Sequence, residues 1–302
     1  MPSIASELTF FSEDISFARL CIEVTFYWRG SMFDQASRLT DAYRQALTVV
    51  RDGIIFYESG TMSGAKKLNT DTLEMVPYWL EKAKRREDIY LMHLKGGSSP
   101  DELSEVGIQF IADEEDEPYA GALSLSLPID YAEKPESLVG IMKEIAKCAD
   151  FDSGHCGFSL AWDPRGDGAT NAQLRMKAIS GRFLGIDLPK LNTTVSAMRR
   201  SETPRIKTVQ WLTFIGGSIT EQLGGGKSIG KMLHSPCIAH EAGSGVVIQA
   251  GLTPLIGDVN RKADISALHI VGQMLNAFRL KNHGPIFGTR EQTGEWLARF
   301  ER

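Results

Sequence analysis

Residues 120–128 carry the pattern that most narrows the choice of fold, because their side chains alternate in size. Leu123, Leu125 and Leu127 take one set of alternating positions, and alanine or serine takes the other. Successive side chains of a β-strand point to opposite faces of the sheet. The segment is therefore predicted to be a strand with one face on the core and one face lined by small residues.

Other strand patterns follow one another along the first half of the chain. Their content of β-branched, aromatic and other apolar residues predicts strands. Together with the first segment they cover residues 20–28, 54–57, 88–94, 106–112, 120–128 and 155–162. In the second half, residues 236–241 and 245–250 are predicted to form a hairpin around a Glu-Ala-Gly-Ser turn.

The helical spacing of apolar side chains predicts helices in both halves. These helices cover residues 33–51, 71–86, 135–149, 169–184, 207–223 and 264–280. The start of 207–223 could instead be a strand, and the tail 284–302 could hold a short helix. Residues 186–205 are polar and irregular, so we expect a loop or a junction between lobes there.

The order of these elements predicts the α+β class, with mixed or antiparallel sheets flanked by helices. The strict strand–helix alternation of a doubly wound fold is absent from the sequence. We expect a single domain over residues 1–302. Because the predicted strands and helices follow one another in a similar order in the two halves, this domain could consist of two related lobes, about 1–165 and 166–302.

The composition is that of a globular protein, with 42% hydrophobic and 24% charged residues. No apolar run reaches the ~18 residues that a membrane-spanning helix needs. The first twenty residues lack the basic start of a secretory signal, so we expect a cytoplasmic protein with no membrane partner. The four cysteines are scattered without a Cys-x-x-Cys pair, so we expect buried free thiols and no zinc site.

The net charge of −5 is divided unevenly along the chain. Residues 1–150 hold 15 lysines and arginines against 26 aspartates and glutamates, a net charge of −11. Residues 151–302 hold 18 against 12, a net charge of +6. An acidic half repels nucleic acid and attracts a basic protein partner, so direct binding of nucleic acid is not expected.

The candidate catalytic motifs are weak. Residues 224–228 (GGGKS) lack the first glycine of a phosphate-binding loop, because Glu221 stands in its place. His155 and Cys156 are neighbours on a predicted strand, so they point to opposite faces and cannot pair as base and nucleophile. No histidine spacing predicts a zinc site, and Asp258 is expected to cap a turn. We therefore expect no enzyme activity, no cofactor and no metal.

The most unusual segment is a run of five consecutive carboxylates. They are Asp113, Glu114, Glu115, Asp116 and Glu117. Such side chains repel one another and gain nothing from packing, so we expect the run to be exposed between two strands. It could be a solubilising loop, or it could contact the basic surface of a partner such as a nuclease cleft.

Several segments occur in the order typical of one protein family. They are GALSLSLP at 121–128, GHCGF at 154–158, VQWLT at 209–213, LGG at 223–225, GVVIQAG at 245–251, Pro254 and GDVN at 257–260. With these segments the chain resembles the bacterial type VI secretion immunity proteins of the TsiV kind. The resemblance implies a cytoplasmic protein that binds a cognate antibacterial effector toxin, typically a nuclease, and covers its active or substrate-binding site.

The shared segments are rich in glycine and core residues, so the resemblance marks the scaffold and carries over no contact residue. The acidic run at 113–117 lies outside the shared pattern and is therefore the candidate partner-binding segment. Two other functions remain open at this point. One is an uncharacterised hydrolase-like enzyme that uses His155, His240 or Asp258, and the other is a regulatory module whose protein partner is not a toxin.

Overall fold

One antiparallel sheet organises the structure. The computed structural model describes residues 7–12, 15–60, 62, 64–82, 88–162 and 166–301. Eleven strands of these described residues form one sheet. The strands are β1 (Phe10–Ser12), β2 (Ile15–Arg29), β3 (Phe56–Ser59), β4 (Lys66–Lys67), β5 (Ile89–Lys95), β6 (Gly107–Asp113), β7 (Ala120–Leu127), β8 (Ser153–Trp162), β9 (Leu212–Ile215), β10 (Cys237–Ala242) and β11 (Gly245–Ala250).

The strands lie in the order β10-β11-β9-β8-β2-β7-β6-β5-β3-β4, and β1 pairs with β2. Each pairing between these strands is antiparallel. The predicted α+β class with an antiparallel sheet is therefore confirmed, as is the hairpin of β10 and β11. The sheet runs through both halves of the chain, because β8 pairs with β2 on one side and with β9 on the other.

Helices flank this sheet. They are α1 (Ala36–Val50), α2 (Thr70–Leu73), α3 (Met75–Lys82), α4 (Pro135–Ala146), α5 (Gly166–Arg182), α6 (Leu191–Arg199), α7 (Gly217–Gln222), α8 (Gly226–Met232), α9 (Ser266–Leu275) and α10 (Arg290–Leu297). Short 3-10 turns cover Met32–Gln35, Arg51–Gly53, Ile129–Glu133, Val259–Arg261 and Asn276–Phe278. Among the described residues, no helix combines the length and the apolar character that a bilayer crossing requires.

Two predictions from the second half of the chain are wrong. Residues 186–205 contain helix α6, whose buried side chains include Thr194, Val195 and Met198. The apolar stripe of this helix covers barely two turns, so it does not stand out from its polar neighbours. The favoured helix over 207–223 is divided into strand β9 and the short helix α7, so the alternative of a strand in the first part of this segment is the one that the structure shows. All four residues of β9 are buried, and a short buried run has no periodicity that separates strand from helix.

The first side of the sheet, which we call the core face, carries the main hydrophobic core. Val24, Phe26 and Trp28 of β2 lie on it together with the three leucines of β7. The predicted alternation of residues 120–128 is thus confirmed. Helices α1, α3 and α4 cover this face with buried apolar side chains. Helix α4 begins with Pro135 at its first position, where the missing N–H costs nothing.

The opposite side, which we call the polar face, carries polar residues at directly opposed positions on seven strands. The row consists of Glu58, His93, Gln109, Ser124, Thr25, His155 and Thr213. Helix α9 covers the part of this face formed by β11, where Leu268 and Val271 pack near Ile248. Helix α6 covers another part, where Val195 and Met198 pack near Tyr27. The segments around Asp187 and Gln210 lie against β8 and cover Ser159 and Gly157. The part of the polar face formed by β5, β6 and β7 is left open.

Candidate functional site

A cleft of about 500 Å³ lies over the open part of the polar face. Its floor includes Glu23 of β2, Gln109 of β6, and Ser124 and Ser126 of β7. The walls include residues of helix α6, of the loop before β6 and of the end of β8. Wall residues are Leu191, Asn192, Thr193, Asp101, Leu103 and Trp162. Ligand pockets in proteins are commonly ~300–1,000 Å³ in volume, so the cleft is large enough to bind a ligand.

Glu23 contributes a carboxylate to the floor, and only 6% of its surface is exposed. Its Oε1 accepts hydrogen bonds from the Thr25 hydroxyl at 2.8 Å and from the Ser124 hydroxyl at 2.9 Å. Its Oε2 accepts a hydrogen bond from the Ser159 hydroxyl at 2.6 Å. Three hydroxyls from three strands therefore fix the position of this carboxylate.

A buried ion pair lies beside Glu23. The Lys207 ammonium is 2.5 Å from Oδ2 of Asp187, and His155 Nε2 is 3.3 Å from the same oxygen. Burial alone would raise the pKa of Asp187, but the Lys207 charge and the His155 ring outweigh it and hold that pKa below its usual range. Asp187 is consequently ionised in the folded protein, and Lys207 neutralises it.

Glu23, His155 and Asp187 also have the geometry of a metal-ligand set, since one ligand atom from each lies within 4.8 Å of the others. The oxygens of Glu23 already accept three hydroxyl hydrogen bonds, and Oδ2 of Asp187 is bound to the Lys207 ammonium, so a metal ion there would lie beside a cation. We therefore assign Asp187 and Lys207 to an internal ion pair that supports the site.

Helix α6, a wall of the cleft, is held in place by two polar contacts. Its Arg199 donates a hydrogen bond to the Asp113 carboxylate at 2.7 Å. Its Thr194 hydroxyl lies 2.9 Å from Nε2 of His283. The other ring nitrogen of His283, Nδ1, lies 2.6 Å from the Gly284 carbonyl oxygen, so Nδ1 carries the proton. Nε2 is then the acceptor, and the neutral ring accepts a hydrogen bond from Thr194.

The protein should lose stability as the pH falls from about 6.5 to about 4, because His283 is buried in its neutral form. Burial lowers the pKa of His283 from 6.5 to about 4. The unfolded chain therefore takes up a proton in this window that the folded chain does not, and stability present above pH 6.5 is lost. The full effect is about 3 kcal/mol. Urea denaturation across this window measures the free energy of unfolding, which should change less with pH in His283→Gln than in the wild type. Equal slopes in the two proteins would contradict the assignment of a buried neutral His283.

The structure does not bring the candidate catalytic residues together. Four residues lie at directly opposed positions on neighbouring strands, so their side chains point to the same face of the sheet. They are His155, Thr213, Ile248 and Ala239. His240 follows Ala239 and therefore points to the other face, roughly 14 Å away at ordinary strand spacing. Its Nε2 lies 2.8 Å from the Gln249 side-chain oxygen.

The carboxylate of Asp258 is also engaged in hydrogen bonds within the protein. Its Oδ1 accepts a hydrogen bond from the Asn260 backbone N–H at 3.0 Å, which confirms the predicted turn cap. Both of its oxygens accept hydrogen bonds from Arg182, at 3.2 and 3.0 Å. Residues 223–225 connect helices α7 and α8, with positive φ at Gly224 and Gly225, and residues 226–228 begin α8. All four cysteines are free thiols, and Cys21 and Cys156 are buried.

The acidic run divides into two parts. Asp113 ends β6 and pairs with Arg199, and Glu114 is only 4% exposed. The Glu114 carboxylate accepts hydrogen bonds from the Ser31 hydroxyl at 2.7 Å and from the Met32 backbone N–H at 2.6 Å. The expectation that the whole run is exposed is therefore wrong for these two residues, which fix the start of the loop. The other three, residues 115–117, are exposed.

Sequence reasoning missed the cleft and the charged groups beneath it. Glu23 is a carboxylate in the middle of an apolar and aromatic strand, and this signal is visible in residues 20–28. Asp187 and Lys207 lie in segments without a motif, and they meet only because the segment around Asp187 runs beside β8. No pattern in the sequence pairs them.

Comparisons with known proteins match this chain to a protein family and to solved structures. The family model described as "TsiV: Type VI immunity for VRR-NUC" matches residues 38–300. The Pseudomonas aeruginosa T6SS protein PA0821 has a similar solved structure, with a TM-score of 0.79 and 18% sequence identity. The superposition covers 95% of this chain and 83% of that chain, and it shows a common fold. The comparison with curated proteins gives no match.

Proposed function

Because this chain belongs to the TsiV family of type VI immunity proteins for VRR-NUC, we propose that it binds and neutralises a cognate VRR-NUC effector nuclease. It does so by covering the active or substrate-binding site of the effector. The observation that carries the proposal is the family match over residues 38–300, which agrees with the resemblance of the sequence motifs. A stable complex of this kind buries ~1,200–2,000 Å² of surface.

The protein acts in this proposal by binding and not by turnover. Two buried carboxylates of the second half are paired with cations, Asp187 with Lys207 and Asp258 with Arg182, which agrees with a binding role. The encounter takes place in the cytoplasm, because an effector nuclease meets the DNA of the cell there. The acidic first half of the chain suits a partner that must present positive charge to bind DNA phosphates.

Co-expression tests this proposal. The VRR-NUC effector from the same genome is expressed under an inducible promoter with and without this protein, and cell survival is measured. We expect survival only in the presence of this protein, together with co-purification of the two chains. Equal killing in both cultures, with no co-purification, would show that the pair is not cognate or that the proposed function is wrong. A second VRR-NUC effector from the same genome separates these two explanations.

The acidic run at Asp113–Glu117 contributes to binding through its exposed part in this proposal. Replacing Glu115, Asp116 and Glu117 together with lysine should slow association with the effector about tenfold at low ionic strength. Screening by salt should reduce the difference. Stopped-flow or surface plasmon resonance at two salt concentrations measures the rates. An unchanged association rate at low salt would mean that these three residues only solubilise the loop.

A further inference from the structure

The carboxylate on the floor of the cleft has no positive partner within the described part of the chain. Glu23 is held by three neutral hydroxyls, and no described lysine, arginine or histidine forms an ion pair with it. Asp187, the buried carboxylate beside it, has Lys207. An ionised carboxylate that is removed from water is costly unless an opposite charge compensates it. Glu23 therefore lacks the compensation that its neighbour has.

The rest of the cleft is also negatively biased. Besides Glu23, its described lining contains three carboxylates, Glu58, Asp101 and Glu102, against the two ammonium groups of Lys95 and Lys190. Both lysines are engaged by backbone carbonyls. Lys95 donates to the Glu102 carbonyl at 3.2 Å, and Lys190 donates to the Pro285 carbonyl at 2.9 Å. A ligand that enters this cleft meets a surplus of negative charge.

We propose that the cleft receives a lysine- or arginine-bearing segment of the effector, and that Glu23 binds its cationic group. The proposal rests on the proposed function and specifies the site where it acts. A nuclease needs exposed cationic side chains to bind DNA phosphates. Insertion of one such side chain into the cleft would place it against a fixed carboxylate and would remove it from the DNA-binding surface.

The three hydroxyls prepare Glu23 for this role. Thr25, Ser124 and Ser159 hold the carboxylate in one position, so little conformational entropy is lost when a cation binds. Ser126 lies on the same strand and the same face as Ser124, and it is half-buried on the floor of the cleft. A larger side chain at Ser126 would fill the cleft from below.

Two substitutions test the cleft directly. Glu23→Gln removes the charge and preserves the size of the side chain, and Ser126→Arg places a cation of the protein's own in the cleft. The matched control is Glu136→Gln, which removes one negative charge from an exposed position on α4, the helix on the core face. Isothermal titration with the purified effector measures the dissociation constant of each variant.

We expect Glu23→Gln and Ser126→Arg each to bind the effector about 30-fold more weakly or worse, as is typical when one partner of a buried charge pair is lost. Glu136→Gln should bind like the wild type. Thermal unfolding of each free variant shows whether it is folded. If Ser126→Arg does not fold, Glu23→Gln decides the result alone.

The outcomes separate the two proposals. If the wild type binds the effector and both cleft variants bind equally well, the cleft proposal is wrong and the proposed function stands. If the cleft binds only a small free cation and no part of the effector, both substitutions leave the affinity for the effector unchanged. The cleft proposal is wrong in that case as well. If the wild type does not bind its effector, both proposals fail. Alanine substitution of the effector's surface lysines and arginines should identify the residue that Glu23 binds. The change in binding free energy on its loss should not add to the change caused by Glu23→Gln.

Discussion

Lys207→Met should lower the free energy of unfolding by about 3–5 kcal/mol, because it leaves the buried carboxylate of Asp187 without its cation. Both side chains are 1% exposed, and their charged atoms lie 2.5 Å apart. The other oxygen of Asp187, Oδ1, has no hydrogen-bond partner among the described residues. The carboxylate therefore depends on Lys207 for its stability. Urea denaturation followed by circular dichroism measures the change.

The double variant Asp187→Asn with Lys207→Met is the matched control. It removes both charges, so it should recover more than half of the stability that the single variant loses. This follows because much of the loss comes from an unpaired buried charge and not from missing attraction. A loss below about 1 kcal/mol in the single variant, the range of an exposed pair, would contradict the assignment.

Gly121→Val should destabilise the protein by about 3 kcal/mol, because the position beside Trp28 has no space for a side chain. A Cβ atom there would lie 2.5 Å from Cε2 of Trp28 and 2.6 Å from the backbone oxygen of Ile111. Trp28 is fully buried, and its ring packs against Phe110 with centroids 5.5 Å apart. The indole and strand β6 would both have to move. Thermal denaturation should show a lower midpoint for this variant.

Gly140→Ala provides the comparison for this substitution. Gly140 lies inside helix α4, and a Cβ atom added there meets no other atom within 4 Å. Alanine has the higher helix propensity, so this variant should be more stable by about 0.5–1 kcal/mol. An unfolding midpoint for Gly121→Val equal to that of the wild type would show that the contact with Trp28 can relax.

The sheet could be predicted from the sequence because the strand segments themselves are rich in apolar residues or alternate in side-chain size. The alternation of leucine with small residues in 120–128 identifies both faces of β7, and the core face and polar face follow from it. Helix α6 could not be predicted in the same way. Its buried side chains make contacts mainly with the polar face, so its place depends on tertiary packing. Without α6 the cleft lacks one of its walls, and the sequence therefore does not predict it.

The acidic run shows the same limit at the level of single residues. Five carboxylates in a row indicate an exposed loop, and for residues 115–117 this holds. Glu114 is buried because Ser31 and Met32, far away in the sequence, supply its hydrogen bonds. Asp113 is engaged because Arg199 of the unpredicted helix α6 reaches it. Such long-range partners leave no trace in the local pattern.

Inhibition of the effector's nuclease activity tests the central claim most directly. The purified VRR-NUC effector is incubated with DNA while this protein is added in increasing amounts, and cleavage is followed on a gel. The proposed function predicts that cleavage stops once the protein saturates the effector and that the two chains elute together in size-exclusion chromatography. Cleavage at an undiminished rate in the presence of a large molar excess of the folded protein would contradict it.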